Sequence, residues 1–273
     1  MTFIKTADRT NLFVKDWGSG SPVVFLHGWA LGSDMWEYQM PWLVDRGLRC
    51  VAYDRRGCGR SGQPGHGYDF DTFADDLAAV LGDLDLRDVT LVGHSMGGAE
   101  IARYLSRHGA ARVKRSVLVS SILPFLLKTE DNPDGIDGAV YDFMIAQLSA
   151  DRPGFLSANI DGFFGDGGPG APVSPALKQW IMGLFLQSSP KATIDMVRAF
   201  SATDFRPDLR AFTMPTLLIH GDADQTPIAL TSRRTTAMIP GSQLVEYAGA
   251  AHGLFVTEKD RLNADLLGFA TAA

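Results

Sequence analysis

The chain has 273 residues, 45% of them apolar and 21% charged, with 31 acidic against 25 basic side chains and a formal net charge of -6. A chain of this length folds as one or two domains and buries roughly 75% of the surface its unfolded form exposes, so it needs no disulfide or metal staple. The mild acidic balance argues against nucleic acid as a partner, and two cysteines, Cys50 and Cys58, make no disulfide framework.

In chain order, the first twenty residues lack the apolar core of a signal peptide. Asn11–Trp17 is predicted as a strand and "GSGSP" as a turn. Val23–Gly28, "VVFLHG", is a continuous apolar run, the mark of a strand covered on both faces. "MWEYQMPWLVDRG" suggests an amphipathic helix, and Leu48–Asp54 another buried strand. The pairs Arg55-Arg56 and Arg233-Arg234 are expected to be solvated or locally paired. Over Asp71–Asp85, Phe73, Leu77, Val80, Leu81 and Leu84 fall on one helical face. "DVTLVGH" reads as a strand, "GGAEIARYLSRHG" as a helix capped near Gly109, and Arg115–Ser121 as a strand. The apolar stretch Ser116–Leu127 contains serines and Pro124 and is too short to span a bilayer. A cytoplasmic protein with no membrane partner is therefore expected.

From Ile122 to about Arg210 the alternation breaks. "DNPDGIDG" and "GFFGDGGPGAPVSP" are predicted loops, with helices over "AVYDFMIAQLSA" and "PALKQWIMGLFLQ". Strands resume at Pro215–Asp222 and "SQLVEYAGAAHG", and "EKDRLNADLLGFATA" is a final helix. The alternation of buried strand and amphipathic helix predicts an α/β fold, a parallel sheet with helices on both faces. The sheet core is expected over 1–123 and 211–273, with an inserted helical segment over 124–210.

Gly93-His94-Ser95-Met96-Gly97 matches G-x-S-x-G, set directly between a strand and a helix. So tight a turn tolerates only small residues on either side of the serine, and it lifts the hydroxyl to the carboxyl end of the sheet, where ligands bind. The Met96 amide opens the helix as an unpaired donor at a positive dipole end. A serine needs a base to take its proton. Of six histidines, His94 should point away from Ser95 because strand side chains alternate. His27 and His220 each end a buried strand and are expected to hold loops, while His66 and His108 are expected on the surface. That leaves His252, in the small-residue loop "AGAAHGLF". An acid must orient the imidazole. "HGDADQTP" offers Asp222 and Asp224, and Asp224 is favoured because it lies further into the loop. The order Ser95, Asp224, His252 suits a hydrolase on this sheet type. After Gly28, the Trp29 amide can face the same space as that of Met96, completing an oxyanion hole.

The stretches "FLHGWALGSDMWEYQM", "YDRRGCGRS", "YDFDTFADDL", "LVGHSMGGAEIARY", "TDFRPDL", "IHGDADQ" and "AAHG" resemble the α/β-hydrolase superfamily, and within it the bacterial aryl esterase and cofactor-free haloperoxidase (perhydrolase) group. The resemblance covers nearly the whole chain. It implies a mostly parallel eight-stranded sheet with a helical cap and a homo-oligomer. It implies Ser95 as nucleophile, Asp224 as acid, His252 as base, the Trp29 and Met96 amides as oxyanion hole, and no cofactor or metal. The chain departs from the group at Gln225-Thr226-Pro227, where a Val-Pro pair is usual. It departs again at Ala30, where the better perhydrolases carry proline, and this shifts the expectation toward ester hydrolysis. A small-molecule ester, aryl or short alkyl, is the expected substrate. Trp29, Ile122, Phe125, Phe143, Phe163 and Thr226 are expected to line its pocket, with Trp180, Phe185 and Phe200 as further candidates. A lactonase, a lactamase, a perhydrolase and a non-catalytic small-ligand binder are the alternatives.

Overall fold

The computed structural model describes residues 2–165 and 173–272. In chain order come β1 (Thr2–Lys5), β2 (Asn11–Gly18), β3 (Pro22–Leu26), a 3-10 turn over Ser33–Trp36, α1 (Met40–Val44), β4 (Arg49–Tyr53), α2 (Phe70–Asp83), β5 (Val89–His94), α3 (Met96–His108) and β6 (Val113–Val119). Then follow α4 (Gly138–Phe164), α5 (Pro175–Leu186), α6 (Pro190–Ala202), a 3-10 turn over Asp208–Ala211, β7 (Thr216–Gly221), α7 (Ser232–Met238), β8 (Gln243–Tyr247), α8 (Leu254–Thr257) and α9 (Lys259–Thr271).

The eight strands form one sheet in the order β1-β2-β4-β3-β5-β6-β7-β8. β2 runs antiparallel to both its neighbours, and every pair from β4 to β8 is parallel. The period of two sorts the side chains onto two faces. Val24, Leu26, Leu91 and Leu118 pack with Phe73, Leu77 and Ile101 of α2 and α3. Val23, Phe25, Val92 and Val117 pack with Trp36, Leu43, Phe255 and Leu262 on the other face. Burial on both sides explains why these strands read as unbroken apolar runs.

The chain leaves β3 for β4 on one side and returns to β5 on the other, so strand order reverses at β3. Such a switch point opens a crevice beyond the carboxyl ends of the two diverging strands, here β3 and β5. The loops that follow them carry Gly28-Trp29 and Ser95.

Several expectations are corrected. The predicted helix over "MWEYQMPWLVDRG" is a 3-10 turn plus the five residues of α1. α4 continues through Phe164, into the segment predicted as a loop, whose residues 166–172 lie outside the described ones. It is broken at Asp151, which leaves helical geometry (φ -149°, ψ 83°) and caps the second half by accepting from the Gly154 N–H at 2.9 Å. Pro153 thus sits in a first helical turn, where its missing N–H costs nothing. Of the two alternatives for Arg55 and Arg56, solvated or paired, the structure has both paired, though with residues distant in sequence. Both are buried, Arg55 against Glu100 and Arg56 against Asp76, whose carboxylate it grips at 2.6 and 2.7 Å.

Candidate active site

Ser95 sits at φ 53°, ψ -115°, a left-handed backbone that costs a non-glycine residue on the order of 1–3 kcal/mol. Its neighbours hold it there: the Ser95 N–H donates to Val119 O at 2.8 Å, and its carbonyl accepts from Gly98 N–H at 3.1 Å. The glycines are compulsory. A Cβ on Gly93 would come within 2.5 Å of the Gly97 backbone, and one on Gly97 within 2.5 Å of Leu26 O. Among the described residues the Ser95 hydroxyl has no hydrogen-bond partner, and Ser95 lines a cavity of about 420 Å³.

His252 lines the same cavity. Its Nδ1 lies 2.9 Å from each Asp224 oxygen. A carboxylate only accepts, so Nδ1 carries the proton and Nε2 is the basic nitrogen. Asp224 Oδ1 also accepts from the Thr226 N–H at 2.7 Å, and Oδ2 lies 3.3 Å from His220 Nε2. Burial alone would push the Asp224 carboxyl up; the His252 and His220 imidazoles outweigh it and hold the group far below the ordinary carboxylate range. Asp222 is exposed and accepts from the Gly249 N–H at 2.6 Å, away from His252.

Trp29 and Met96 line the same cavity as Ser95, and neither backbone amide donates to a partner among the described residues. The loop that carries Trp29 is held at many points. His27 Nε2 accepts the Arg55 N–H at 2.8 Å, which leaves Nδ1–H to donate to Gly28 O at 2.8 Å. Burial, aided by the Arg55 charge, pushes the His27 imidazole down to about 3, so it stays neutral. Asp54, fully buried, accepts from the Ser33 N–H and hydroxyl at 2.7 and 2.6 Å. From the helices above, Ser188 donates to Ala30 O at 2.8 Å, and Trp29 Nε1–H donates to Thr193 O at 2.9 Å. Ala30 is itself left-handed at φ 55°.

Of the expected pocket residues, Trp29, Ile122, Phe143, Phe163, Thr226, Phe185 and Phe200 border the cavity. Phe143 stands at the mouth, 61% exposed. Phe125 does not reach the cavity: its ring is buried under the Arg206 guanidinium, 5.1 Å away. Trp180 does not reach it either and packs edge-on against Tyr38 at 6.0 Å. Both errors have one cause, since aromatics in an irregular segment carry no periodic signal of direction. The reading missed Leu31, Tyr141, Met144, Leu156, Ile160 and Gln225. Leu156, Ile160 and Phe163 recur at four and three residues, a helical stripe that extending α4 would have revealed. Among the described residues, no charged side chain borders the cavity apart from the ionisable His94 and His252. His94, His27 and His220 are fully buried, and His66 and His108 are exposed.

A family profile described as "Alpha/beta hydrolase family" matches residues 23–265. A non-heme haloperoxidase of Rhodococcus erythropolis is 45% identical over 98% of this chain and 99% of its own. A bifunctional esterase/perhydrolase of Acinetobacter calcoaceticus is 40% identical over 98% and 99%. The crystal structure of a bromoperoxidase from Bacillus anthracis superposes with a TM-score of 0.96 at 41% identity, covering 99% of both chains.

Proposed function

Because the chain belongs to the α/β-hydrolase family, we propose that it is a serine hydrolase that cleaves carboxylic esters through an acyl-enzyme. The observation that carries this reading is the His252 Nδ1 clamped 2.9 Å from both oxygens of Asp224 while its ring shares one cavity with Ser95. That clamp fixes the tautomer whose Nε2 can take the serine proton.

Ser95 Oγ attacks the ester carbonyl and its proton passes to His252 Nε2. The Asp224 carboxylate stabilises the imidazolium. The Trp29 and Met96 amides hold the oxyanion, a contribution worth ~10²–10³ in rate per donor. His252 returns the proton to the departing alkoxide, and the alcohol leaves. Water, deprotonated by His252, then attacks the acyl carbon, and carboxylate and free Ser95 result. The apolar, aromatic walls suit a neutral acyl chain with an aryl or alkyl alcohol.

The names of the relatives favour a second outcome for the same acyl-enzyme. If hydrogen peroxide attacks in place of water, Ser95 is released and the acyl group leaves as a peracid. A peracid transfers one oxygen to halide, giving hypohalous acid and carboxylate, which links ester and halide chemistry through one serine.

The test is a series of p-nitrophenyl esters of graded acyl length, run with and without peroxide, on wild type and Ser95→Ala. Ser95→Ala should lower kcat by ~10⁶, because the triad acts as a unit. Retention of more than a few per cent of the wild-type rate removes Ser95 from the chemistry. Peracid formation that survives Ser95→Ala would separate the two outcomes.

A further inference from the structure

We propose that His94, which takes no part in the proton transfers above, is the positioning residue that sets the His252 imidazole against the nucleophile. The inference rests on the serine-hydrolase reading and concerns a group that reading leaves idle.

His94 ends β5 and directly precedes Ser95. Its ring turns to the face opposite α3 and packs edge-on against Phe255 at 5.2 Å and Trp36 at 6.4 Å. It lies 4.7 Å from the His252 ring, centroid to centroid. Its Nε2 is 3.0 Å from the backbone carbonyl of His252. A carbonyl cannot donate, so Nε2 carries the proton and Nδ1 carries a lone pair. Nδ1 is buried with no partner among the described residues. It faces Gly28: a Cβ there would come to 2.7 Å from Nδ1 and 3.5 Å from Ser95 Cβ. A second proton on this ring would have nowhere to go. Burial, with the His252 charge adding to it, pushes the imidazole down to about 3.

One side chain therefore touches three parts of the machinery. It is bonded through the backbone to the nucleophile, hydrogen-bonded to the base, and in contact with the glycine that opens the oxyanion loop. A second grip supports the same segment, as Gln39 Nε2–H donates to Phe255 O at 2.8 Å. Without the His94 donor the buried His252 carbonyl loses its partner, and the loop is free to drift. Displacement of a catalytic group by about 1 Å can cost ~10² in rate.

The experiment compares His94→Phe, which keeps the ring and loses the donor, with His94→Gln, whose amide can place an N–H near the original Nε2. His94→Phe should lower kcat ~10–100-fold with KM within ~3-fold of wild type, and His94→Gln should recover most of the loss. A purely structural role would lower the melting temperature and leave kcat per titrated active site unchanged. A His94→Phe rate within ~2-fold of wild type, or a His94→Gln rate no better than His94→Phe, overturns the proposal. Should neither variant fold, imidazole nitrogen NMR on wild type decides. The proposal requires the neutral Nε2–H tautomer of His94 from pH 5 to 9, and the Nδ1–H tautomer would refute it. The two readings fail separately. An active Ser95→Ala sinks the serine mechanism, whereas an inert Ser95→Ala beside a fully active His94→Phe sinks only the positioning role.

Discussion

Asp222 and Asp224 stand two positions apart on one loop, yet only one of them meets an imidazole. Asp224 is buried and holds His252 and the Thr226 amide; Asp222 is exposed and holds a turn at Gly249. Asp224→Asn should lower kcat by ~10⁴, because an amide no longer fixes the tautomer, whereas Asp222→Asn should stay within a few-fold of wild type. Steady-state kinetics on one aryl ester checks both, and the reverse ranking would exchange their roles. Asp224 should not set the acid limb of the rate profile, because its carboxyl stays ionised below the ordinary range. The residues around the nucleophile were legible because steric exclusion writes itself in glycine. The buried charges were not. Asp76 and Glu100 lie on helices where a charged side chain ordinarily marks the wet face, and their partners Arg56 and Arg55 are 20 and 45 positions away. Periodicity cannot announce an ion pair that tertiary folding creates.

At the scale of elements, the strand-turn-helix unit β5-α3 is tightly constrained. Gly98 shows this on the helix side, where an added Cβ would stand 2.3 Å from Ser121 Oγ and 2.8 Å from Ser121 Cβ. Gly98→Ala should destabilise the protein by about 1–3 kcal/mol, measured as a fall in the urea midpoint, and Ser121→Gly in the same chain should restore part of it. No change in midpoint would mean that α3 can slide away from β6. The parallel strands were legible since apolar runs bounded by turns have few other readings. The helices above the crevice were less so. The predicted helix stops at Ala150 and leaves the second half of α4 unassigned, because its helical start is supplied by Asp151 in the middle of the segment. Phe125 and Trp180 show the same limit: composition marks an aromatic region, but only packing says which rings face the cavity.

For the whole molecule, the pattern of buried titratable groups sets a shape for stability against pH. His27 and His94 stay neutral in the fold down to about 3, while in the unfolded chain they take a proton near 6.5. Each therefore removes stability as pH falls below 6.5, by up to about 1.4 kcal/mol per pH unit. Asp76 acts in the other sense: burial, stronger than its Arg56 contacts, pushes it up to about 6, so the fold keeps a proton that the unfolded chain has released. Glu100 is raised too, burial outweighing Arg55. Between about pH 6 and 4 Asp76 offsets about one of the two histidines, and Glu100 acts in the same direction. Below about 4 the acids protonate in both states, and the opposition ends. Asp54 and Asp224, both held low, then add to the loss as pH drops. Melting temperature should fall more gently between pH 6 and 4.5 than below 4; an equally steep fall between 6 and 4.5 would show that the buried acids are ionised throughout.

The helices over the crevice are tied to the loops that carry Trp29 and His252. Phe163 O accepts the Gly253 N–H at 2.7 Å, next to His252, while Ser188 and Thr193 hold Ala30 and Trp29. The roof thus braces both of these loops. Chimeras that exchange residues 124–210 between relatives to alter selectivity should lose turnover first, and recover it only when the donors and acceptors at these three junctions travel with the graft.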